Sequence, residues 1–117
     1  MRLVRNSNAQ TLVPRLELAG TFWARTKGLL GRRELQADGG LWILHCNSVH
    51  TFFMHFAIDL IFLSGAMEVT KTLARVRPGR VVLPVWRATS VIELPEGFLA
   101  KNPIRVGEKL NVDPALS

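Results

Sequence analysis

A chain of 117 residues with 48% hydrophobic and 21% charged side chains can close one core, which excludes a disordered protein and leaves no room for a site between two lobes. One cysteine excludes a disulfide framework and a zinc site built from several thiolates. The 15 basic against 9 acidic residues leave a net charge of +6, which attracts anionic partners without defining one.

Residues 2–5 read as a short first strand, closed by the turn signal Asn6-Ser7-Asn8. Residues 11–18 alternate, with Leu12, Leu16 and Leu18 on one side and Thr11, Arg15 and Glu17 on the other. Pro14 places that strand at an edge. Thr21 is an N-cap for a helix over residues 22–30, and Gly31 can end it in the left-handed conformation. Arg25, Lys27, Arg32 and Arg33 suit its polar side and its last turn.

Asp38-Gly39-Gly40 is a turn before a short apolar strand at 41–44, which Asn47-Ser48 breaks. Residues 50–63 show period two, with Phe52, Met54, Phe56, Ile58, Leu60 and Phe62 in one register. The run exceeds an ordinary strand, so it predicts a strand pair or one bent strand. Ser64-Gly65-Ala66 makes a hairpin of 60–63 and 67–73. Pro78-Gly79 is a turn, and residues 81–94 hold one or two strands. Pro95-Glu96-Gly97, Asn102-Pro103 and Gly107-Glu108 punctuate the end, with a last strand at 109–112. Turn signals about every 8–12 residues, with one clear helix at about 21–31, predict a mainly β fold. The expectation is a small single-domain β-sandwich or barrel over 1–117, of short antiparallel strands with one or two short helices.

The stretch 41–63 is long and apolar enough to suggest a membrane span, but it contains His45, Asn47, His50, His55 and Asp59. A charged residue at a helix centre costs about 2.5–3.5 kcal/mol on insertion scales, so strands are the better reading. The first residues lack the apolar region of a signal peptide, and the expected location is cytoplasmic.

The densest polar cluster is His45-Cys46-Asn47-Ser48-Val49-His50, followed by His55 and Asp59. Cys46 and His50 are candidate metal ligands, but the strand period sets them on one face and His55 and Asp59 on the other, so no metal is expected. Cys46 beside two histidines also suggests a thiolate nucleophile; a small buried hydrophobe is the simpler reading. Asp59 and Glu93 are more informative, because each sits inside an apolar strand, Ile58-Asp59-Leu60 and Ile92-Glu93-Leu94. A carboxylate there needs a donor or an outlet to water. Arg25, Arg32, Arg87 and His50 are the candidate donors. His50 with Asp59 and Glu93 would form an acid–base set if they converge; a structural ion pair is the alternative.

Residues 69–92 carry Lys71, Arg75, Arg77, Arg80 and Arg87 with no acid, and residues 1–33 carry seven basic residues against Glu17 alone. Without a dense run or any tyrosine, nucleic-acid binding is not favoured. Gly28-Leu29-Leu30-Gly31 lacks the spacing of a phosphate-cradling loop.

Four ordered motifs carry a resemblance. They are Arg25-Thr26-Lys27-Gly28-Leu29-Leu30-Gly31-Arg32, then His50-Thr51-Phe52-Phe53-Met54-His55-Phe56-Ala57-Ile58-Asp59-Leu60-Ile61-Phe62-Leu63, then Val91-Ile92-Glu93-Leu94-Pro95-Glu96-Gly97, then Val106-Gly107-Glu108-Lys109-Leu110. Over about 12–112 the chain resembles the domain-of-unknown-function family 192, in the branch with an H-T-F-x-M-x-x-x-I-D-x-x-F core. The resemblance implies a small mainly β domain with no assigned activity, cofactor or ligand. It places the family's characteristic polar residues on Arg25, Arg32, His50, Asp59 and Glu93. His55 stands where arginine or lysine is usual, Ala57 where proline is usual, and Glu108 where aspartate is usual.

The function expected is a non-enzymatic ligand- or protein-binding domain without a cofactor, with Arg25, Arg32, His50, His55 and Arg87 as binding candidates. Its partner would be a small anionic ligand or a protein. One alternative is a small hydrolase or lyase using His50 with Asp59 or Glu93; another is an anion or nucleic-acid binder acting through the basic surface.

Overall fold

Pro14 cuts the predicted strand at 11–18 in two, since a residue without an amide proton cannot continue a ladder. The pieces are β2 (Thr11–Val13) and β3 (Arg15–Ala19), and they join different sheets. The computed structural model describes residues 1–19, 35–52 and 54–114. β2 pairs with β1 (Arg2–Arg5), which pairs with β10 (Leu110–Asp113), giving an antiparallel three-stranded sheet. β3 opens a five-stranded sheet in the order β3-β4-β9-β6-β7. Its other members are β4 (Gly39–Leu44), β6 (Ile58–Leu63), β7 (Val69–Val76) and β9 (Ser90–Pro95). A two-residue pair, β5 (Val49–His50) with β8 (Val81–Val82), forms the third sheet.

One pairing departs from the expected antiparallel pattern: β3 runs parallel to β4. A parallel pair needs a crossover between its strands. Residues 20–38 make that connection, and the helix expected at 21–31 lies outside the described residues. Leu18 also departs from its expected place beside Leu16; it is 47% exposed.

Every residue of β6 is buried, and so are the first five of β9. That burial on both faces explains the near-continuous apolar runs better than half-buried alternation does. One face of the large sheet, with Leu16, Ile61, Leu63, Ile92 and Leu94, packs on Leu3, Leu12, Val13 and Leu110 of the small sheet. The opposite face, with Leu41, Ile43, Leu60, Phe62 and Val91, is covered by Met54, Ala88 and the partly buried Val49, Val82 and Val85. The period-two run of 50–63 is therefore not one strand. Met54 and Phe56 lie ahead of the sheet and pack over this second core, and the strand begins at Ile58. A one-turn helix, α1 (Phe98–Lys101), follows β9 and puts Phe98 into the first core. No helix among the described residues is long and apolar enough to cross a membrane.

Candidate functional site

Asp59 is wholly buried, and its companions are main-chain amides rather than an arginine. Its Oδ1 accepts from the N–H of Arg75 at 2.9 Å and of Gly97 at 3.4 Å, and its Oδ2 accepts from Leu99 at 2.8 Å. Two of these donors belong to the start of α1, whose N-terminal amides have no partner within the helix. The third lies in a bulge of β7, where the register between Ile58 and Leu60 slips and Arg75 takes φ 55°. Asp59 thus ties β6, β7 and α1 together. Both oxygens are engaged and shielded from solvent, which suits a structural anchor and leaves no path to a substrate.

Thr51 plays the matching part for the second loop. It too is fully buried. Its Oγ1 donates to the Arg77 carbonyl at 2.6 Å and accepts from the Arg80 N–H at 2.8 Å. Its own N–H donates to the Arg80 carbonyl at 2.8 Å, and its carbonyl accepts from the Gly79 N–H at 2.9 Å. One side chain with its backbone therefore organises the whole Arg77-Pro78-Gly79-Arg80 turn. Sequence reading passed over Thr51. Its signal was a lone hydroxyl between His50 and an aromatic pair, followed by a turn dipeptide some way downstream.

The other expected residues are dispersed. Along β9, Glu93 shares the face of Val91, and Asp59 shares the face of Ile61 on β6, so the two carboxylates lie on opposite sides of one sheet. Glu93 is 5% exposed and is partnered. His50 is exposed on β5, where its ring meets that of Phe52 with centroids 5.4 Å apart. His55 is exposed on the loop that follows. Cys46 is half-buried, and its Sγ donates to the Ser48 carbonyl at 2.9 Å. Among the described residues, no three His, Cys, Asp or Glu side chains gather as a metal site would require. Arg25 and Arg32 lie outside the described residues. Arg87 is exposed, with φ 66°, in the turn that ends residues 81–87.

That turn forms one wall of a groove of about 760 Å³. Its other walls are Val69, Thr70, Lys71 and Leu73 of β7 and Val106-Gly107. Four of its apolar side chains stand open to solvent: Trp86 is 85% exposed, Leu83 74%, Val106 66% and Val81 59%. Lys71 and Arg87 supply positive charge at the rim against Glu68 alone. The wall keeps its shape through Val85, whose N–H donates to the Asn47 carbonyl at 2.8 Å, and through Ala88, whose N–H donates to the Val85 carbonyl at 3.2 Å. Of the groove residues, sequence reading found only Arg87. The missed signal was an apolar run, Val81-Val82-Leu83-Pro84-Val85-Trp86, whose strand ends at Val82, ahead of the proline.

Elsewhere the basic surface is partly neutralised. Arg2 pairs with Asp113, Arg5 with Glu108 at 2.5 Å, and Arg15 with Asp38 at 3.2 Å.

Taken together, a doubly covered five-stranded sheet, a buried carboxylate that caps a helix and an open apolar groove define a small mainly β protein. The chain belongs to the DUF192 family of uncharacterised proteins, whose profile matches residues 3–112. A UPF0127 protein of Thermococcus sibiricus, of the same family, is 30% identical over 114 residues, covering 93% of this chain and 73% of its own. The crystal structure of a protein of unknown function from Novosphingobium aromaticivorans superposes with a TM-score of 0.81 at 25% identity, over 96% of this chain and 84% of that one. A crystal structure from Sinorhizobium meliloti shares the fold, with a TM-score of 0.75 at 20% identity, over 94% and 89% of the two chains.

Proposed function

We propose that this protein is a non-enzymatic binding domain and that the groove between β7, residues 81–87 and Val106-Gly107 receives its ligand. The observation that carries this reading is the cluster of exposed apolar side chains around that groove. Large side chains such as Trp86 and Leu83 are rarely left so open in a group unless something covers them. The volume is that of an ordinary ligand site. The rim favours a ligand that is apolar along its body and negative at some point. An acid–base mechanism draws less support, because Asp59 is sealed and Glu93 lies across the sheet from it. A cytoplasmic location belongs to the same proposal and fits a chain with one cysteine.

The apolar anion 8-anilinonaphthalene-1-sulfonate tests the reading. The native protein should bind it saturably, with a blue shift in the emission difference between wild type and Trp86→Phe. Trp86→Ala, at an exposed position, should fold normally and weaken the dye at least fivefold. Equal dye binding by wild type and Trp86→Ala would remove the groove as the site.

A further inference from the structure

β7 is the last strand of the five-stranded sheet, with β6 on its inner side. On its outer side only the start is paired. The Val69 N–H donates to the Glu108 carbonyl at 2.9 Å, the Val69 carbonyl accepts from Gly107 N–H at 2.7 Å, and Glu68 bridges Lys109. Beyond that point no strand among the described residues lies beside β7. An uncovered strand edge is a template for another chain, and proteins usually blunt it with a charge or a bulge. Here bulges mark both ends of the exposed stretch, and Lys71 stands beside the first of them. Protection alone does not account for the wall opposite, where Leu83, Trp86 and Val106 present apolar surface across the gap.

We propose that an extended acidic peptide segment of a partner protein docks in this groove and adds a strand to the outer edge of β7. This rests on the binding reading above and names its ligand class. Main-chain pairing with β7 supplies the register, and alternate apolar side chains of the peptide meet the Leu83–Trp86 wall. Acidic residues in between answer Lys71 and Arg87. The same two cations reject a basic segment, so the charge that guards the edge also selects the partner. A nucleic-acid strand fits less well. The lining is mostly aliphatic, holds two cations, and offers a backbone edge that phosphates cannot use.

The probe is an amidated octapeptide of alternating valine and glutamate with fluorescein on its N-terminus, read by fluorescence anisotropy with the full chain. It should bind saturably, at least tenfold more tightly than the valine–lysine version, and Trp86→Ala should lose it. In an extended strand the N–H groups of alternate residues point to one side. Methylating the valine nitrogens or the glutamate nitrogens should therefore abolish binding in one series and spare the other. Equal binding by both series overturns strand addition, and equal binding of the lysine peptide overturns the charge argument. Displacement of the peptide by oligothymidine, or a dimer in sedimentation that the peptide cannot open, assigns the edge to another occupant and also overturns it. Dye binding that depends on Trp86 without any peptide binding leaves the groove as a ligand site and rejects only the peptide.

Discussion

A buried carboxylate needs donors, and at Asp59 these are three amide protons. Asp59→Asn replaces one acceptor oxygen with an NH2 group that must face an N–H donor. The expected loss is about 3 kcal/mol in a urea titration, with the slope unchanged. Hydrogen exchange should show the earliest loss of protection at residues 97–101, the turn this side chain caps. Thr51→Val keeps the shape and removes the Oγ1 bonds to the 77–80 turn, at a cost of about 2 kcal/mol. Thr51→Ser retains the hydroxyl and should stay within about 1 kcal/mol of wild type by the same measurement. At this scale the sequence announced the need but not the answer. Ile58-Asp59-Leu60 says that a charge is enclosed by apolar neighbours. Nothing in it says that amides forty residues away, at Gly97 and Leu99, converge on the same point.

Elements were legible where their punctuation was strong. The hairpin around Ser64-Gly65-Ala66, the short strand before Asn47-Ser48 and the last strand after Gly107-Glu108 all appear where the turn residues put them. The run of 50–63 failed as a strand signal because its apolar residues cover a core from a loop before they enter the sheet, and alternation cannot separate those two roles. The parallel β3–β4 pair was equally hidden, since the alternation over 11–18 reads as one strand where Pro14 divides two. Gly40 shows what the close approach of these layers demands. A Cβ there would lie 3.0 Å from Leu94 Cδ2, 3.3 Å from Val13 Cγ1 and 3.4 Å from Leu16 Cδ1. Gly40→Ala should therefore cost about 1–3 kcal/mol through overpacking, read by the thermal midpoint. Gly65, whose Cβ would meet only Thr89 Oγ1 at 4.0 Å, is the control position.

For the whole molecule, net charge was a poor guide to surface. Two of the arginines that raise it, Arg2 and Arg5, are spent joining β1 to Asp113 and Glu108. Arg5 donates to Glu108 at 2.5 Å and to the Pro103 carbonyl at 3.1 Å, and both partners of the ion pair are mostly hidden. A double-mutant cycle of Arg5→Met and Glu108→Gln should return a coupling of about 1–2 kcal/mol, with little dependence on salt. The candidate site illustrates the same gap. The groove joins β7, a proline-broken segment and a turn near residue 107, and only the folded topology brings them into one place.

The register Arg2↔Asp113, Leu3↔Val112, Val4↔Asn111 and Arg5↔Leu110 has a temporal meaning. β1 is synthesised before its neighbour β10, so this edge of β1 waits unpaired until Asp113 has been made. A nascent chain stalled at residue 105 should remain open to protease, and one extended past Asp113 with a linker clear of the exit tunnel should resist it. Resistance in the shorter chain would mean that the large sheet stands without its final seam.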